Sequence, residues 1–179
     1  MRRLNVFLVI GMFLSVFAHG IMASVQLAGG NADAQKTIAW IGVAFICAHV
    51  IVTTILTIRT LKTMKASGTS YFKENKMFWT ARISGFAILI PLLMHLLIFH
   101  SANEGPYRLQ AFTTGKLISQ ILLVACIAVH VLSNIRPLLI GFGVKQRKAF
   151  SADLLFLFSL LLLLFALAFV VYYLRWMRV

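Results

Sequence analysis

Leu154–Leu174 reads LLFLFSLLLLLFALAFVVYYL, an unbroken run without a charge in which Ser159 is the only hydroxyl before the tyrosines. About 20 apolar residues are what an α-helix needs to cross a hydrocarbon core about 30 Å thick, and a helix satisfies every backbone polar group within one segment. Four more stretches have the same character: Leu4–Leu27, Ile38–Ile58, Ile83–Phe99 and Leu117–Ile135. The first begins directly after Met1-Arg2-Arg3. It is longer than the roughly 7–15 apolar residues of a secretory signal core, so it reads as a retained span. The expected fold is an all-α integral membrane protein of five transmembrane helices, a single domain over residues 1–179 with no room for a soluble one.

Composition agrees: 61% of residues are hydrophobic and 12% charged, about half the charged fraction that a soluble surface requires. In a soluble chain a net charge of +13 would suggest nucleic acid. Here the basic residues sit in short connections between apolar runs, where they set topology, and a nucleic-acid partner is set aside. Arg59, Lys62, Lys65, Lys73 and Lys76 follow the second span, and Arg136, Lys145, Arg147 and Lys148 follow the fourth. Both segments are expected on the cytoplasmic side of the cell inner (cytoplasmic) membrane, together with the N-terminus. The remaining connections are nearly neutral, Asp33 with Lys36 and Glu104 with Arg108 and Lys116, while Arg175 and Arg178 finish outside against the rule. Cys47 and Cys126 lie in separate apolar runs, so neither a disulfide framework nor a covalent CxxCH haem attachment is available.

The informative residues are histidines. His19, His49, His95 and His130 stand at membrane depth in the first four spans, and the fifth has none. An imidazole in lipid is costly unless paired, through a hydrogen bond within the bundle or through a ligand. At about 1.5 Å per residue, His19 and His95 lie about 22 and 18 Å along outward-running helices, and both fall in the outer half. His49 falls near mid-depth and His130 about 20 Å down an inward-running helix, about one turn apart in level. In an up-down bundle helices one and three, and two and four, are diagonal neighbours. The pairs His19/His95 and His49/His130 therefore face each other across the axis, as the two axial ligands of a six-coordinate haem b must. Two haems are expected, with electron transfer as the function. His100 could substitute for His95 but lies at the outer rim, and Met12, Met22 and Met94 more commonly fill gaps than ligate.

Gly11 and Ser15 share the His19 face, and Gly42 shares that of His49. Small residues there suit either the approach of a porphyrin or close helix packing. Thr53, Thr57 and Arg59 continue the His49 face, and Ser133, Asn134 and Arg136 stand below His130. They are candidates to hold haem propionates, against hydroxyls that bond their own helix and arginines that merely reach the interface. Pro91, four residues before His95, is expected to kink the third helix. The fifth span should lie outside a four-helix haem-holding bundle, with Tyr172, Tyr173 and Trp176 marking the outer interface.

Arg82-Ile83-Ser84-Gly85-Phe86-Ala87-Ile88-Leu89, followed by Met94-His95-Leu96-Leu97, resembles the Arg-x-Ser-Gly opening and downstream histidine of cytochrome b subunits in the succinate dehydrogenase and fumarate reductase family. His130-Val131-Leu132-Ser133-Asn134-Ile135-Arg136-Pro137-Leu138-Leu139 is similar to that family's histidine followed by a glycine-arginine segment, with asparagine here in place of glycine. These motifs cover about a third of the chain. The resemblance implies a single-polypeptide, two-haem membrane anchor with Arg82 and Ser84 near a cofactor. It also implies a cytoplasmic flavoprotein subunit with covalent FAD, an iron-sulphur subunit docked on the inner loops, and a quinone, usually menaquinone, near the outer haem. By helix order the inner haem would fall to His49 and His130 and the outer to His19 and His95. The family's proton-handling carboxylate has no secure counterpart, Asp33 and Glu104 being the only outer acids. The alternatives are the cytochrome b subunit of a hydrogenase or formate dehydrogenase, or a haem-free structural or transport protein of the membrane, for which no internal repeat or paired broken span speaks.

Overall fold

The structure is a computed structural model that describes residues 2–30, 36–68, 76–100, 111–141, 143 and 148–178. Its elements are α1 (Arg2–Leu27), α2 (Lys36–Ala66), α3 (Lys76–Ala87), α4 (Leu89–Phe99), α5 (Thr114–Gly141) and α6 (Lys148–Trp176). α3 and α4 are halves of one span, Lys76–Phe99, so five helices are long and apolar enough to cross a membrane. Asp33, Lys73, Glu104, Arg108, Lys145 and Arg147 lie outside the described residues.

Helices outrun the apolar stretches that predict them. α2 continues past Ile58 to Ala66, and α5 passes through Pro137 to Gly141 rather than ending at Ile135. At the end of α2, lysine, arginine, methionine and alanine are good helix formers, and long basic side chains keep their charge in water while the backbone stays helical. The third span is interrupted where Pro91 demands it. Its missing N–H leaves the Ala87 carbonyl, four residues back, without the usual donor. Ile88 takes up the interruption in a right-handed helical conformation, with its own N–H on Ser84 O at 3.2 Å.

Packing proceeds in the order α2, α1, α6, α5 and then the α3/α4 pair. α2 runs antiparallel to α1, with Phe45 over Gly11 and Gly42 against Ser15. α1 and α6 run parallel, their phenylalanines interleaved: Phe17 stands 5.3 Å from Phe158 and 5.9 Å from Phe165, ring centre to ring centre. Among the described residues, the backbones of α2 and the α3/α4 pair make no extensive approach.

Two expectations about the fifth span need correction. α6 is wedged between α1 and α5 rather than lying outside the bundle. Tyr172 is 0% exposed and closes a core with Leu27, Phe112, Val124, Leu162 and Phe169, so it is no interface marker. The uniform apolarity of α6 is what suits it to this place, because it can present a surface to two neighbours at once while still meeting lipid. Tyr173 does reach outward, its hydroxyl 3.0 Å from Thr114 Oγ1.

Arg175, anomalous under the charge rule, has a structural task. α1 ends in a Schellman turn, with Gly29 at φ 97°, its N–H on Gln26 O and the Gly30 N–H on Val25 O at 2.9 Å. Arg175 donates from Nη1 to Leu27 O at 2.5 Å, bringing a positive charge to the negative end of that helix.

Candidate functional site

The histidines fall at two levels. Gln120 and His130 belong to α5 and are about 15 Å apart along its axis; the first contacts His95 and the second turns to α3. Both levels fit within one membrane thickness.

At the first level α1 presents His19 and α4 presents His95. Their ring centres are 6.4 Å apart and their planes cross at 86°. An iron held between two imidazoles by metal–nitrogen bonds of about 2 Å places the ring centres about 6.3 Å apart, with any angle between the planes allowed. Phe99 at 5.0 Å and Phe169 at 6.3 Å flank the His95 ring. His95 Nδ1 lies 2.7 Å from Gln120 Oε1, and an amide oxygen only accepts, so Nδ1 carries the proton and Nε2 keeps a lone pair. This is the arrangement found behind metal-ligating histidines, where the second nitrogen donates to a fixed acceptor. His100, by contrast, is exposed at the C-terminal end of α4.

At the second level His130 leans from α5 onto α3. Its Nδ1 is 3.1 Å from the Ala81 carbonyl oxygen and 3.2 Å from Ser84 Oγ. The carbonyl can only accept, so Nδ1–H is shared between these two and Nε2 again keeps its lone pair. Gly85 makes the approach possible: a Cβ there would stand 3.0 Å from His130 Cε1. His49, on α2, has its Nδ1 buried without a hydrogen-bond partner. A buried imidazole nitrogen left so is expensive in an apolar bundle, and the cost is explained if the ring serves a ligand. Arg82 holds its guanidinium carbon 4.7 Å from the centre of the Phe78 ring. Beside this cradle runs an apolar groove of about 590 Å³ between α3 and α5, to which Lys76, Trp79, Ser84, Cys126 and Val129 contribute.

Among the described residues no group of three or more histidine, cysteine or acidic side chains converges on a point. A porphyrin needs none, because it brings four equatorial nitrogens and asks the protein for two axial ones. The donor set and the tautomers of His95 and His130 thus suit a bis-imidazole haem.

The supporting residues divide. Ser84 is at the His130 cradle and Arg82 beside it on α3. Gly11, Ser15 and Gly42 belong to helix packing: a Cβ on Gly11 would meet the Phe45 ring at 2.5 Å, one on Gly42 would meet Ser15 Oγ at 3.3 Å, and Ser15 Oγ donates to Gly11 O at 2.8 Å. These three stand in the α1–α2 contact. Thr53 donates to His49 O and Thr57 to Thr53 O, both at 2.7 Å, while Ser133 and Asn134 donate to His130 O at 3.1 and 2.7 Å. The hydroxyls thus bond their own helices, as the simpler account has it. Arg59 and Arg136 are exposed at the basic end of the bundle.

Sequence reasoning overlooked Gln120. Its amide is 0% exposed with both ends bonded, and the signal was available: an amide inside an apolar span carries the same cost that singled out the histidines. Ala81 could not have been found, since its contribution is a backbone carbonyl. Comparison with family models, characterised proteins and solved structures yields no match for this chain.

Proposed function

We propose that this chain is a haem b membrane-anchor subunit of a succinate:quinone oxidoreductase, conducting electrons between a cytoplasmic iron-sulphur subunit and membrane quinone. The observation that carries the haem reading is the His19/His95 pair: two imidazoles 6.4 Å apart inside a lipid-exposed bundle, one with its Nδ1 proton already committed to Gln120. His49 and His130 are the second ligand pair of this reading. A bis-imidazole haem supplies one-electron transfer with no open position for substrate.

The chain's own residues do the rest. Gln120, Ala81 and Ser84 hold imidazole protons on Nδ1, the aromatic rings of Phe99 and Phe169 keep water from His95, and α6 holds α1 and α5 at a fixed spacing. The choice of partner rests on the sequence resemblance of the Arg82–Leu89 and His130–Leu139 stretches, and on the concentration of Arg59, Lys62, Lys65 and Lys76 at one end of the bundle. In this reading that end is cytoplasmic, the flavoprotein subunit performs the dicarboxylate chemistry, and the quinone is menaquinone.

The deciding experiment is a dithionite-reduced minus oxidised spectrum of the detergent-purified chain with its co-purifying subunits, with haem counted per chain as pyridine haemochrome. A b-type spectrum with about two haems per chain and co-purifying FAD and iron-sulphur proteins is the expected result. A folded, fully assembled complex without haem would sink the cytochrome reading, while haem with hydrogenase or formate dehydrogenase partners would move the chain to another respiratory complex.

A further inference from the structure

Gln120 sits at the middle of a chain of hydrogen bonds whose direction can be worked out from its far end. Ser119 Oγ lies 2.7 Å from the Lys116 carbonyl oxygen, which can only accept, so the single hydroxyl proton of Ser119 is spent there. Toward its other neighbour Ser119 Oγ must therefore accept. That neighbour is Gln120 Nε2 at 3.0 Å. The side-chain amide is thus oriented with its NH2 on Ser119 and its oxygen on His95, because a flip would set the amide oxygen against Ser119 Oγ, two acceptors with no proton between them. Gln120 Oε1 then accepts from His95 Nδ1 at 2.7 Å. Ser119 and Gln120 are 5% and 0% exposed, so no water competes for these bonds.

We infer that Gln120 is a positioning residue that holds His95 as the Nδ1–H tautomer and turns its Nε2 lone pair toward His19, so that this amide sets the reduction potential of the haem proposed between them. The inference rests on the cytochrome reading for its redox part and on the structure alone for the tautomer. A neutral amide acceptor leaves the imidazole a neutral ligand. A carboxylate in its place draws the proton, makes the imidazole more electron-rich and favours ferric iron, whereas an apolar residue removes the orienting bond altogether.

The variants are Gln120→Glu and Gln120→Leu, made in the full-length chain and purified with its partner subunits. Redox titration followed optically is expected to show one haem of two shifted to lower potential in Gln120→Glu, with occupancy kept and the other haem unmoved. Gln120→Leu is expected to weaken retention of that same haem about 10–100-fold against apo-myoglobin as acceptor. Unchanged potentials and unchanged retention in both variants would overturn the redox role. A separate readout needs no haem: 15N spectra of the histidine-labelled chain without haem should show His95 protonated on Nδ1, and the Nε2–H form gaining in Gln120→Leu. If His95 is found as the Nε2–H form in the unmodified chain, the positioning inference fails even where haem is bound. If the Nδ1–H form is found but the assembled complex binds no haem, the cytochrome reading fails and the hydrogen-bond assignment stands.

Discussion

A methyl group at Gly85 separates the fold of this protein from its ligand chemistry. An ideal Cβ at that position stands 3.0 Å from His130 Cε1 and 3.3 Å from Nδ1. Reaching ordinary carbon contact of about 3.5 Å requires the ring to withdraw about 0.5 Å. The withdrawal is from α3, the helix that also supplies the acceptors, so the 3.1 Å bond from Nδ1–H to Ala81 O lengthens. At about 3.5 Å or beyond, little of that bond survives. Losing the orienting bond behind a metal-ligating histidine costs about 10–100-fold in affinity. The cost to folding is smaller, since replacing glycine by alanine within a helix favours folding by about 0.5–1 kcal/mol and offsets part of the lost bond. The expected Gly85→Ala chain therefore still folds, as read by its helical circular dichroism in the same detergent. It nevertheless falls from about two haems per chain to about one after competition with apo-myoglobin. A variant that keeps both haems with an unaltered reduced-minus-oxidised spectrum would refute the claim that this glycine exists to admit a ligating ring.

Alanine at His19 or at His130 is expected to remove one haem each, and the double variant both, as counted by pyridine haemochrome; loss of both haems from either single variant in a folded chain argues against two independent sites. Phe112→Ala empties a 1% exposed position against Tyr172, 5.0 Å away ring to ring. It is expected to lower stability by about 2–3 kcal/mol in denaturation from mixed micelles, at the low end for an aromatic truncation because lipid gives no hydrophobic drive. Arg175→Ala removes the donor on Leu27 O and is expected to cost about 1 kcal/mol, read as faster hydrogen exchange over the last turn of α1 with haem content unchanged. Gly11→Ala drives a methyl group into the Phe45 ring and is expected to destabilise the chain by about 1–3 kcal/mol with haem stoichiometry kept in the folded fraction; selective haem loss at full stability would return Gly11 to the ligand site.

Membrane class, number of spans and the interruption of the third were readable along the chain. Each is dictated by a one-dimensional property: a run of apolar residues long enough for the bilayer, or a proline without an N–H. The histidines were conspicuous for a similar reason, since a polar ring in an apolar run is costly whatever its neighbours are. Span ends were drawn short because hydropathy marks the hydrocarbon core, whereas the helix of residues Ile58–Ala66 continues on the strength of its backbone. Gln120 was legible in principle and passed over.

Neighbour identity was a different matter, and only the tertiary structure decided it. Which face each helix turns, and in what order the helices stand around the bundle, depends on packing against all the others at once. That order put the featureless α6 between α1 and α5, buried Tyr172, assigned Gly11 and Gly42 to helix contacts, and brought Ala81 O and Gly85 to the ring of His130. Along the chain His130 and Ala81 are separated by 49 residues and His95 and Gln120 by 25. The sequence by itself determined that polar rings had to be paired within the membrane. Their partners were chosen by folding, because an amide or a carbonyl satisfies an imidazole only when the packing of whole helices holds the two within about 3 Å.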